Sequence, residues 1–360
     1  MKKAIIIGPK SKKSDPISIA QINPFYQFRS SLKKELGLSF EHFHAVSISE
    51  IENVIDQRFE ADTFFVRPQW SEKPKDLERI MKKMRDVYPN SQIFLIDPFD
   101  QTSSRFFSVL PYVTRLIKYI CLKDKSLYIE DFIGGNFCTD KLVNEMGYNL
   151  NGWHVGSQVP DGYENHIVPG WYALCPKLKK QILTPFPPRF LRARRKDIDV
   201  FSHVSCGNRI ETEWYGLYRQ AAIDVLNNLK HDYNLSINAD YIGEPRISRL
   251  QYQAFLRRSK IAFSPLGWGE ITMRSYEAVL NKCLLIQPNV DHVIVEPNIF
   301  IPYETYIPVE WDYRDLEEKC RYYLNNPREA NQIVENAYTK FKEYFISKKF
   351  VARIGELLAI

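Results

Sequence analysis

The sequence predicts an α/β protein with two domains, each built on a parallel sheet. Three observations predict this fold class. Short apolar and β-branched runs, typical of buried strands, alternate with longer helical segments, and short turns join them. The alternation stops at a basic, proline-rich stretch and then starts again. The length of 360 residues also fits two domains of about 100–200 residues each.

In the first half, three apolar runs are predicted to be buried strands. They cover residues 3–7, 63–66 and 92–96, and the first is closed by Gly8-Pro9. Helices are expected between them at residues 27–36 and 77–88, because glycine and proline follow these segments. Strand, helix and strand in this order predict parallel pairing with crossover helices.

The second half is predicted to repeat this pattern after a glycine-rich middle region of loops and short strands. The segment TPFPPRFLRARRKD, residues 184–197, carries three prolines and five basic residues and is interpreted as the linker. Strands are then predicted at residues 198–203, 236–242, 260–263 and 284–287, with helices at 213–229, 251–258, 316–324 and 328–344.

Composition and charge limit the classes of function. The chain is 44% hydrophobic and 26% charged, as in soluble globular proteins, and its net charge is +6. That excess fits a partner with phosphate or acidic groups but is too small to indicate nucleic acid by itself. Six isolated cysteines predict a reducing compartment. No transmembrane segment is predicted, so we expect a cytoplasmic protein, and contact with a membrane surface stays open.

The stretch SPLGWGEITMRSYEAVLNKCLLIQP, residues 264–288, follows a predicted strand. Its loop therefore leaves the carboxyl end of a parallel sheet, where ligands bind in open α/β folds. Gly267 and Gly269 let the backbone approach a ligand closely. Thr272 is expected to cap the next helix, whose N-terminal N–H groups can hold a phosphate.

Two charged residues on that helix form a possible nucleotide clamp. Arg274 lies in the first turn and can donate two N–H groups to a diphosphate. Glu277 shares its helix face and can accept hydrogen bonds from ribose hydroxyls. The alternative is an ordinary amphipathic helix with an ion pair between residues three apart.

The order of strand, P-x-G-x-G, loop, T-x-R-x-x-E-A and apolar strand resembles the donor-binding domain of GT-B glycosyltransferases. The nearest likeness is to the exostosin-like and group-1-like families, and the pattern is also similar to the phage DNA β-glucosyltransferases. It covers residues 198–345 by motif and the N-terminal region only by topology. The resemblance implies a hexosyltransferase with two Rossmann-like domains facing a cleft. The domains would be an acceptor-binding one over residues 1–188, a nucleotide-sugar-binding one over residues 197–340, and a helix over residues 341–360 that returns to the first.

Carried over to the matching positions, the resemblance implies a set of donor-binding residues. Arg274 would bind the diphosphate, and Glu277 would bind the ribose. Arg209, in the loop after the first C-terminal strand, would add a second phosphate-binding base, the alternative being a solvated loop arginine. The other donor-side positions are Tyr241, Gly243, Gly267, Trp268, Gly269, Glu270 and Thr272.

A transferase that inverts the anomeric configuration needs one base for the acceptor hydroxyl. Asp97, at the end of a buried strand, is the first candidate, because the phage enzymes are similar there, and Asp100 is the second. The alternative for Asp97-Pro98 is a turn. Glu270 and Glu277 are separated by six residues, so the E-x7-E pattern of retaining group-1 enzymes is missing and an inverting reaction is predicted.

The remaining motifs concern the cleft and metal binding. Gly8 and Lys10, after the first strand, are expected to face the cleft on the acceptor side. Asp197-Ile198-Asp199 has the form of the DxD metal motif of GT-A glycosyltransferases, but it is interpreted as the start of a strand. We therefore predict no metal ligands and no cofactor, only a nucleotide-diphosphate sugar as co-substrate.

The predicted function is transfer of a sugar from a UDP- or GDP-linked donor to a hydroxyl of a saccharide, without an essential metal. Two alternatives stay open. One is transfer to modified bases in DNA, which the positive charge and the basic cluster at residues 189–196 favour. The other is a nucleotide- or sugar-binding module without catalysis. The sequence does not indicate the oligomeric state.

Overall fold

The computed structural model describes residues 2–10, 16–171 and 196–359. We call residues 2–171 the N-terminal half and residues 196–359 the C-terminal half. Each half contains one parallel sheet with helices packed against it, and a short antiparallel ribbon joins the halves. Among the described residues, no helix has both the length and the apolar character needed to cross a membrane.

The N-terminal half is built on a six-stranded sheet in the order β2-β1-β3-β4-β5-β7, and all five strand pairs are parallel. Its strands, with the separate β6, are β1 (Lys2–Gly8), β2 (Leu38–His44), β3 (Thr63–Val66), β4 (Gln92–Ile96), β5 (Arg115–Lys118), β6 (Ile120–Leu122) and β7 (Ile167–Pro169). Its α-helices are α1 (Pro16–Gln27), α2 (Arg29–Leu36), α3 (Ile48–Asp56), α4 (Pro74–Val87) and α5 (Phe137–Met146). The central strands are buried on both faces, as parallel sheets covered by helices require.

The C-terminal half is built on a five-stranded parallel sheet in the order β13-β11-β10-β8-β9. Its strands, with the separate β12, are β8 (Ile198–Ser205), β9 (Leu235–Asp240), β10 (Ser259–Phe263), β11 (Leu284–Pro288), β12 (Val293–Val295) and β13 (Ile307–Val309). Its helices are α6 (Glu213–Asn227), α7 (Arg249–Arg258), α8 (Met273–Leu280), α9 (Leu316–Asn325), α10 (Pro327–Ile346) and α11 (Lys349–Leu358).

The strand order reverses once in each sheet. β1 lies between β2 and β3, and β8 lies between β9 and β10. At such a switch point the chain connections leave in opposite directions, which opens a crevice at the carboxyl ends of the strands. Ligand crevices are therefore expected after Gly8 in the first sheet and after Ser205 in the second.

Contacts along the chain tie the two halves together. β6 pairs antiparallel with β12, and Lys123, just after β6, forms an ion pair with Asp291. The last helix, α11, lies against the N-terminal half, where Phe350 meets the rings of Phe25 and Trp171 at 5.3 and 4.9 Å. The expected fold class is confirmed, including the C-terminal helix that returns to the first domain.

The structure adds elements that the sequence pattern did not reveal. The segment α1, β2 and α3 was not predicted as such, because α1 contains Pro24 and β2 (LSFEHFH) carries polar residues on its exposed positions. The three-residue strands β12 and β13 and the helix α5 were also missed. Residues 184–195 of the predicted linker lie outside the described residues, and the exact domain bounds stay a prediction.

Candidate active site

The crevice beside β8 contains the predicted diphosphate-binding arginine. Arg274 extends from the first turn of α8, and its Nη2 donates a hydrogen bond to the backbone oxygen of His203. This oxygen lies beyond the last residue of β8 that β10 pairs with, Phe201. The Nε and Nη1 groups of Arg274 are buried and have no hydrogen-bond partner. Arg274 is partly exposed as a residue, and two of its guanidinium donors are thus unused at the switch point of the second sheet.

His203 and a second arginine lie close to this guanidinium. Burial, together with the positive charge of Arg274, lowers the pKa of His203 to about 4, so its imidazole is neutral near pH 7. Arg219 of α6 is 5% exposed and donates to the backbone oxygens of Leu266 and Ser205 at 2.8 and 2.7 Å. It therefore joins the end of β8 to the loop after β10. Sequence reasoning missed Arg219, whose only sequence signal is a charge on a largely apolar helix.

Glu277 is placed beside Arg274, as the helical spacing predicts. Its Oε1 accepts a hydrogen bond from Gln253 Nε2 at 3.0 Å. Tyr252 lies against both members of the predicted clamp: burial raises its pKa to about 12, Arg274 opposes the rise, and Glu277 adds to it. Arg274 and Glu277 thus share one polar pocket between α7 and α8. The role of Glu277 in binding ribose stays a prediction.

The glycine loop before α8 carries an aromatic platform. Trp268 stacks on Tyr215 at 4.4 Å with an angle of 3° between the rings, and on Trp153 of the N-terminal half at 5.7 Å. Its side chain remains 37% exposed. A cleft-facing indole of this kind offers a flat apolar surface to a sugar or a base.

The two glycines of this loop are in tight surroundings, and Gly269 is the more restricted of the two. A Cβ at Gly267 would lie 3.0 Å from Thr272 Cγ2 and 3.6 Å from Arg219 Nη2. A Cβ at Gly269 would lie only 1.6 Å from the backbone oxygen of Asp100. The expectation that Gly269 admits a ligand therefore needs correction, because the N-terminal half occupies this position.

Thr272 is the residue before α8, as expected, but it does not cap the helix with its side chain. Its hydroxyl instead pairs with the hydroxyl of Ser264 at 2.9 Å. The predicted position of the cap is therefore right, but the side-chain hydrogen bond expected of a cap is missing. The first N–H groups of α8 therefore donate no hydrogen bond to this side chain.

Arg209, Tyr241 and Gly243 form a separate exposed corner of the same sheet edge. The Arg209 guanidinium lies 3.8 Å from the centre of the Tyr241 ring and pairs with Glu244. The backbone N–H of Tyr241 donates to Glu244 Oε2 at 2.9 Å, and Gly243 takes a positive φ of 93°. The backbone N–H of Tyr241 is therefore already engaged and is not available to a donor. Arg209, 65% exposed in its side chain, can still reach a ligand.

Asp97 lies at the end of β4, but its carboxylate is fully buried and fully engaged. It pairs with Lys118 of β5, also fully buried, and accepts a hydrogen bond from Ser104 Oγ at 2.7 Å. Burial raises the pKa of Asp97, and the Lys118 ammonium opposes the rise. Both carboxylate oxygens are thus occupied inside the sheet edge. The geometry is that of a structural ion pair, which contradicts the assignment of Asp97 as the first choice of base.

Asp100, three residues further on, has the surroundings of an acid–base group. It is partly exposed, and burial raises its pKa to about 6, with the nearby Glu270 charge adding to the rise. A carboxyl group with such a pKa can exchange a proton near neutral pH. Asp100 also lies on the loop that touches Gly269, and its charge acts on Tyr215 together with those of Arg219 and Arg274.

Glu270 points towards the N-terminal half and away from the arginines. It is 3% exposed, and its Oε1 accepts a hydrogen bond from Thr102 Oγ1 at 2.9 Å. The same oxygen lies 3.8 Å from His292 Nε2. Burial acts to raise the pKa of Glu270, but the nearby His292 imidazole and the hydrogen bond from Thr102 outweigh it and lower the pKa. The position of Glu270 therefore does not favour direct contact with a nucleotide-sugar donor.

Gly8 and Lys10 lie at the switch point of the first sheet. A Cβ at Gly8 would meet the Arg67 side chain at 3.3 Å, so the glycine leaves room for this buried arginine. Lys10 is exposed, and its backbone N–H donates to His44 Nδ1 at 2.9 Å. Both positions border the crevice of the N-terminal half. Arg67, Lys118 and Gln21 were missed, although the two bases sit at strand ends where such groups concentrate.

Asp197 and Asp199, the DxD pattern, lie at the amino-terminal end of β8, opposite to the end with Ser205. Asp197 pairs with Arg258, and Asp199 pairs with Lys260 at 2.6 Å. The interpretation as a strand start is confirmed. Among the described residues, one group has the arrangement of metal ligands, and it comprises Cys138, Glu270 and His292.

Comparisons with known proteins agree with this architecture. Residues 219–356 match a family model described as glycosyl transferase-like. A solved α-glucosyltransferase in complex with UDP is similar over 99% of this chain and 100% of its own, with a TM-score of 0.52 and 9% identity. A structure of α-glucosyltransferase with UDP and a 13-mer DNA containing an HMU base has a TM-score of 0.52, 9% identity and full coverage of both chains.

A UDP-forming α,α-trehalose-phosphate synthase from Burkholderia xenovorans is similar over 100% of this chain and 99% of its own, with a TM-score of 0.53 and 9% identity. A search of curated protein sequences finds no match. The fold similarity extends over both halves, while the family match lies in the half that carries Arg219, Arg274 and Glu277. The chain has the two-domain fold of these GT-B glycosyltransferases, and its residues 219–356 match the glycosyl transferase-like family.

Proposed function

We propose that this protein transfers a sugar from a nucleotide-diphosphate donor to a hydroxyl of a saccharide, with inversion at the anomeric carbon. The donor would be a UDP-sugar in the first place and a GDP-sugar in the second, because similar structures contain or are named for UDP. The observation that carries the proposal is Arg274. Its buried Nε and Nη1 lack partners at the crevice beside β8, and a diphosphate oxygen is the acceptor that would satisfy them.

The proposed donor site places positive charge where the leaving group would accumulate negative charge. Arg274, the N–H groups at the start of α8 and the exposed Arg209 would stabilise the departing diphosphate. Arg219 supports the loop that positions them. In this arrangement arginines and a helix end supply the charge that a divalent ion supplies in other transferases, so we propose that transfer needs no metal.

Asp100 is the proposed base. Its carboxylate takes the proton of the acceptor hydroxyl while the hydroxyl oxygen forms a bond to the anomeric carbon. The bond between that carbon and the β-phosphate oxygen breaks, and its electron pair leaves with the nucleotide diphosphate. Attack from the face opposite the leaving group inverts the configuration. The division of labour follows the predicted domains, with the acceptor on residues 1–188 and the donor on residues 197–340.

Donor binding tests the proposal directly. Thermal unfolding is measured with UDP, GDP, UDP-sugars and GDP-sugars, since a ligand at 100 times its Kd adds about 2.7 kcal/mol to stability. We expect one nucleotide family to raise the unfolding temperature. Arg274→Ala should weaken that binding by about 10–150-fold, the value of lost charged hydrogen bonds. Arg258→Ala, at the opposite end of β8, is the matched control and should bind normally.

Two outcomes would contradict the proposal. Equal donor affinity in Arg274→Ala and the parent protein would rule out Arg274 as a diphosphate-binding residue. If no nucleotide and no nucleotide sugar raises the unfolding temperature, the proposed transferase function is ruled out. The anomeric configuration of the product, obtained from its proton coupling in NMR spectra, tests inversion separately.

Modified DNA is the second candidate acceptor. It is favoured by the similarity to an α-glucosyltransferase structure that contains DNA with an HMU base. The protein would then bind duplex DNA with an affinity that falls steeply with salt, because phosphate contacts release counterions. Binding that is absent at low salt would exclude this acceptor. A non-catalytic binding module would show donor affinity but no transfer or hydrolysis of any nucleotide sugar.

A further inference from the structure

Three metal-ligating side chains meet at the boundary between the two halves. Cys138 comes from the first turn of α5, Glu270 from the loop after β10, and His292 from the loop before β12. One ligand atom of each lies within 4.8 Å of the other two. The three residues are far apart in sequence, and the fold brings them together only because the two halves are in contact.

In two of these three residues, a buried ligand atom has no hydrogen-bond partner. Glu270 is 3% exposed, and its Oε2 is buried without a hydrogen-bond partner. His292 Nε2 is buried and has no hydrogen-bond partner, lying 3.8 Å from Glu270 Oε1. A buried polar atom without a hydrogen-bond partner destabilises the folded state. An unpaired carboxylate oxygen beside an unpaired imidazole nitrogen therefore calls for a further partner, and a cation satisfies both.

The chemistry of the three ligand atoms selects the metal ion. One sulfur, one imidazole nitrogen and one carboxylate oxygen are ligands that Zn²⁺ accepts together at about 2.0–2.3 Å. Tetrahedral ligands at these distances lie about 3.5 Å apart. The three ligand atoms lie within 4.8 Å of one another, so metal binding requires side-chain rotations that shorten the longer separations. Mg²⁺ and Ca²⁺ prefer oxygen ligands and do not fit the thiol and imidazole.

The surroundings hold two of the ligands in place. Thr102 Oγ1 donates to Glu270 Oε1 at 2.9 Å, which leaves Oε2 for the ion. The His292 ring stacks on Phe137 at 4.6 Å, with 29° between the rings. Such outer contacts orient metal ligands and contribute to affinity. A Cys138 thiol must release its proton to solvent when the ion binds, as thiolate ligands do.

We infer that Cys138, Glu270 and His292 form a Zn²⁺ site that joins the two halves of the protein. The ion would link α5 of the N-terminal half to two loops of the C-terminal half, beside the ribbon of β6 and β12. Arg274 is not one of its ligands. The inference does not depend on the proposed function, and a fourth ligand position is left for water.

Metal binding is measured on the full chain after removal of metal with a chelator and dialysis. We expect one Zn²⁺ per chain in competition with a fluorescent indicator at micromolar concentrations. Cys138→Ser and His292→Ala should each weaken binding by at least about tenfold. Cys320→Ser, which alters a buried cysteine of α9 away from the site, should bind as the parent protein does. Circular dichroism confirms that each variant is folded.

Two spectroscopic readouts separate a true site from casual binding. With Co²⁺ in place of Zn²⁺, a thiolate-to-metal charge-transfer band should appear in the parent protein and disappear in Cys138→Ser. One equivalent of Zn²⁺ should also slow hydrogen exchange at the amides that pair β6 with β12. Unaltered binding in Cys138→Ser, absence of the charge-transfer band, or exchange that does not change with Zn²⁺ would each overturn the inference.

Discussion

The assignment of Asp100 as base predicts that one substitution raises stability and lowers kcat. The Asp100 pKa is about 6 in the folded protein, against 3.8 for an ordinary aspartate. The difference of about two pKa units corresponds to at most about 3 kcal/mol, at 1.36 kcal/mol per unit. Since the folded-state pKa is raised, the ionised carboxylate destabilises the folded state. This contribution to stability is present below pH 4 and is lost as the pH rises through about 6.

Asp100→Asn removes this charge without changing the shape of the side chain. At pH 4 the variant and the parent protein should have nearly equal free energies of unfolding. At pH 8 the variant should be more stable by up to about 3 kcal/mol, with partial solvent exposure reducing that figure. Its kcat should fall by about 10²- to 10⁴-fold, the usual value of a positioned base. Urea unfolding at both pH values and initial rates with saturating donor are the measurements.

The pH dependence of the parent enzyme gives a second test of the same residue. The base must be ionised, so kcat/KM should decrease about tenfold per pH unit below about 6 and level off above it. This limb should be missing from the residual activity of Asp100→Asn. A variant within tenfold of the parent kcat, or a limb that persists unchanged in the variant, would refute Asp100 as the base.

Two further substitutions test the contacts around this loop. Asp97→Asn should lower the free energy of unfolding by about 3–5 kcal/mol, because it leaves the buried Lys118 ammonium unpaired; a loss below about 1 kcal/mol in urea unfolding would argue against the ion pair. Gly269→Ala should separate the loops of the two halves, because the new Cβ would lie 1.6 Å from the Asp100 oxygen, and kcat should fall at least about tenfold while donor affinity stays. Equal kcat in Gly269→Ala and the parent protein would show that this contact has no part in catalysis.

The second half of the chain was predictable because its signals are local. Its four predicted strands appear in the structure within two residues of their predicted bounds, and three of them are followed directly by a helix. Gly37 ends α2 with a left-handed φ of 63°, as its position suggested. β2 could not be found in this way, because only Leu38 and Phe40 of its seven residues are buried.

The site could be predicted only where position in the fold decides the role. Arg274 was found because an arginine in the first turn after a β-strand loop lies at the sheet edge whatever its neighbours are. Asp97 and Asp100 could not be separated by this reasoning, because both follow β4. Their difference comes from β5, where Lys118 lies beside Asp97 and neutralises it. Cys138 and His292 gave no signal at all, because contact with Glu270 depends on how the halves meet.

The loop after β4 therefore holds two carboxylates with opposite tasks. Asp97 and Lys118 fix the edge of the first sheet, with Gln21 Nε2 donating to the Asp97 backbone oxygen at 2.7 Å. This buried network positions the following residues, and Asp100 emerges from it with its charge only partly compensated. A catalytic base must keep its position while its charge changes. The Asp97–Lys118 ion pair is rigid and neutral, so it can hold Asp100 in place. The loss of the ion pair should therefore lower activity through the position of Asp100, even though Asp97 touches no substrate.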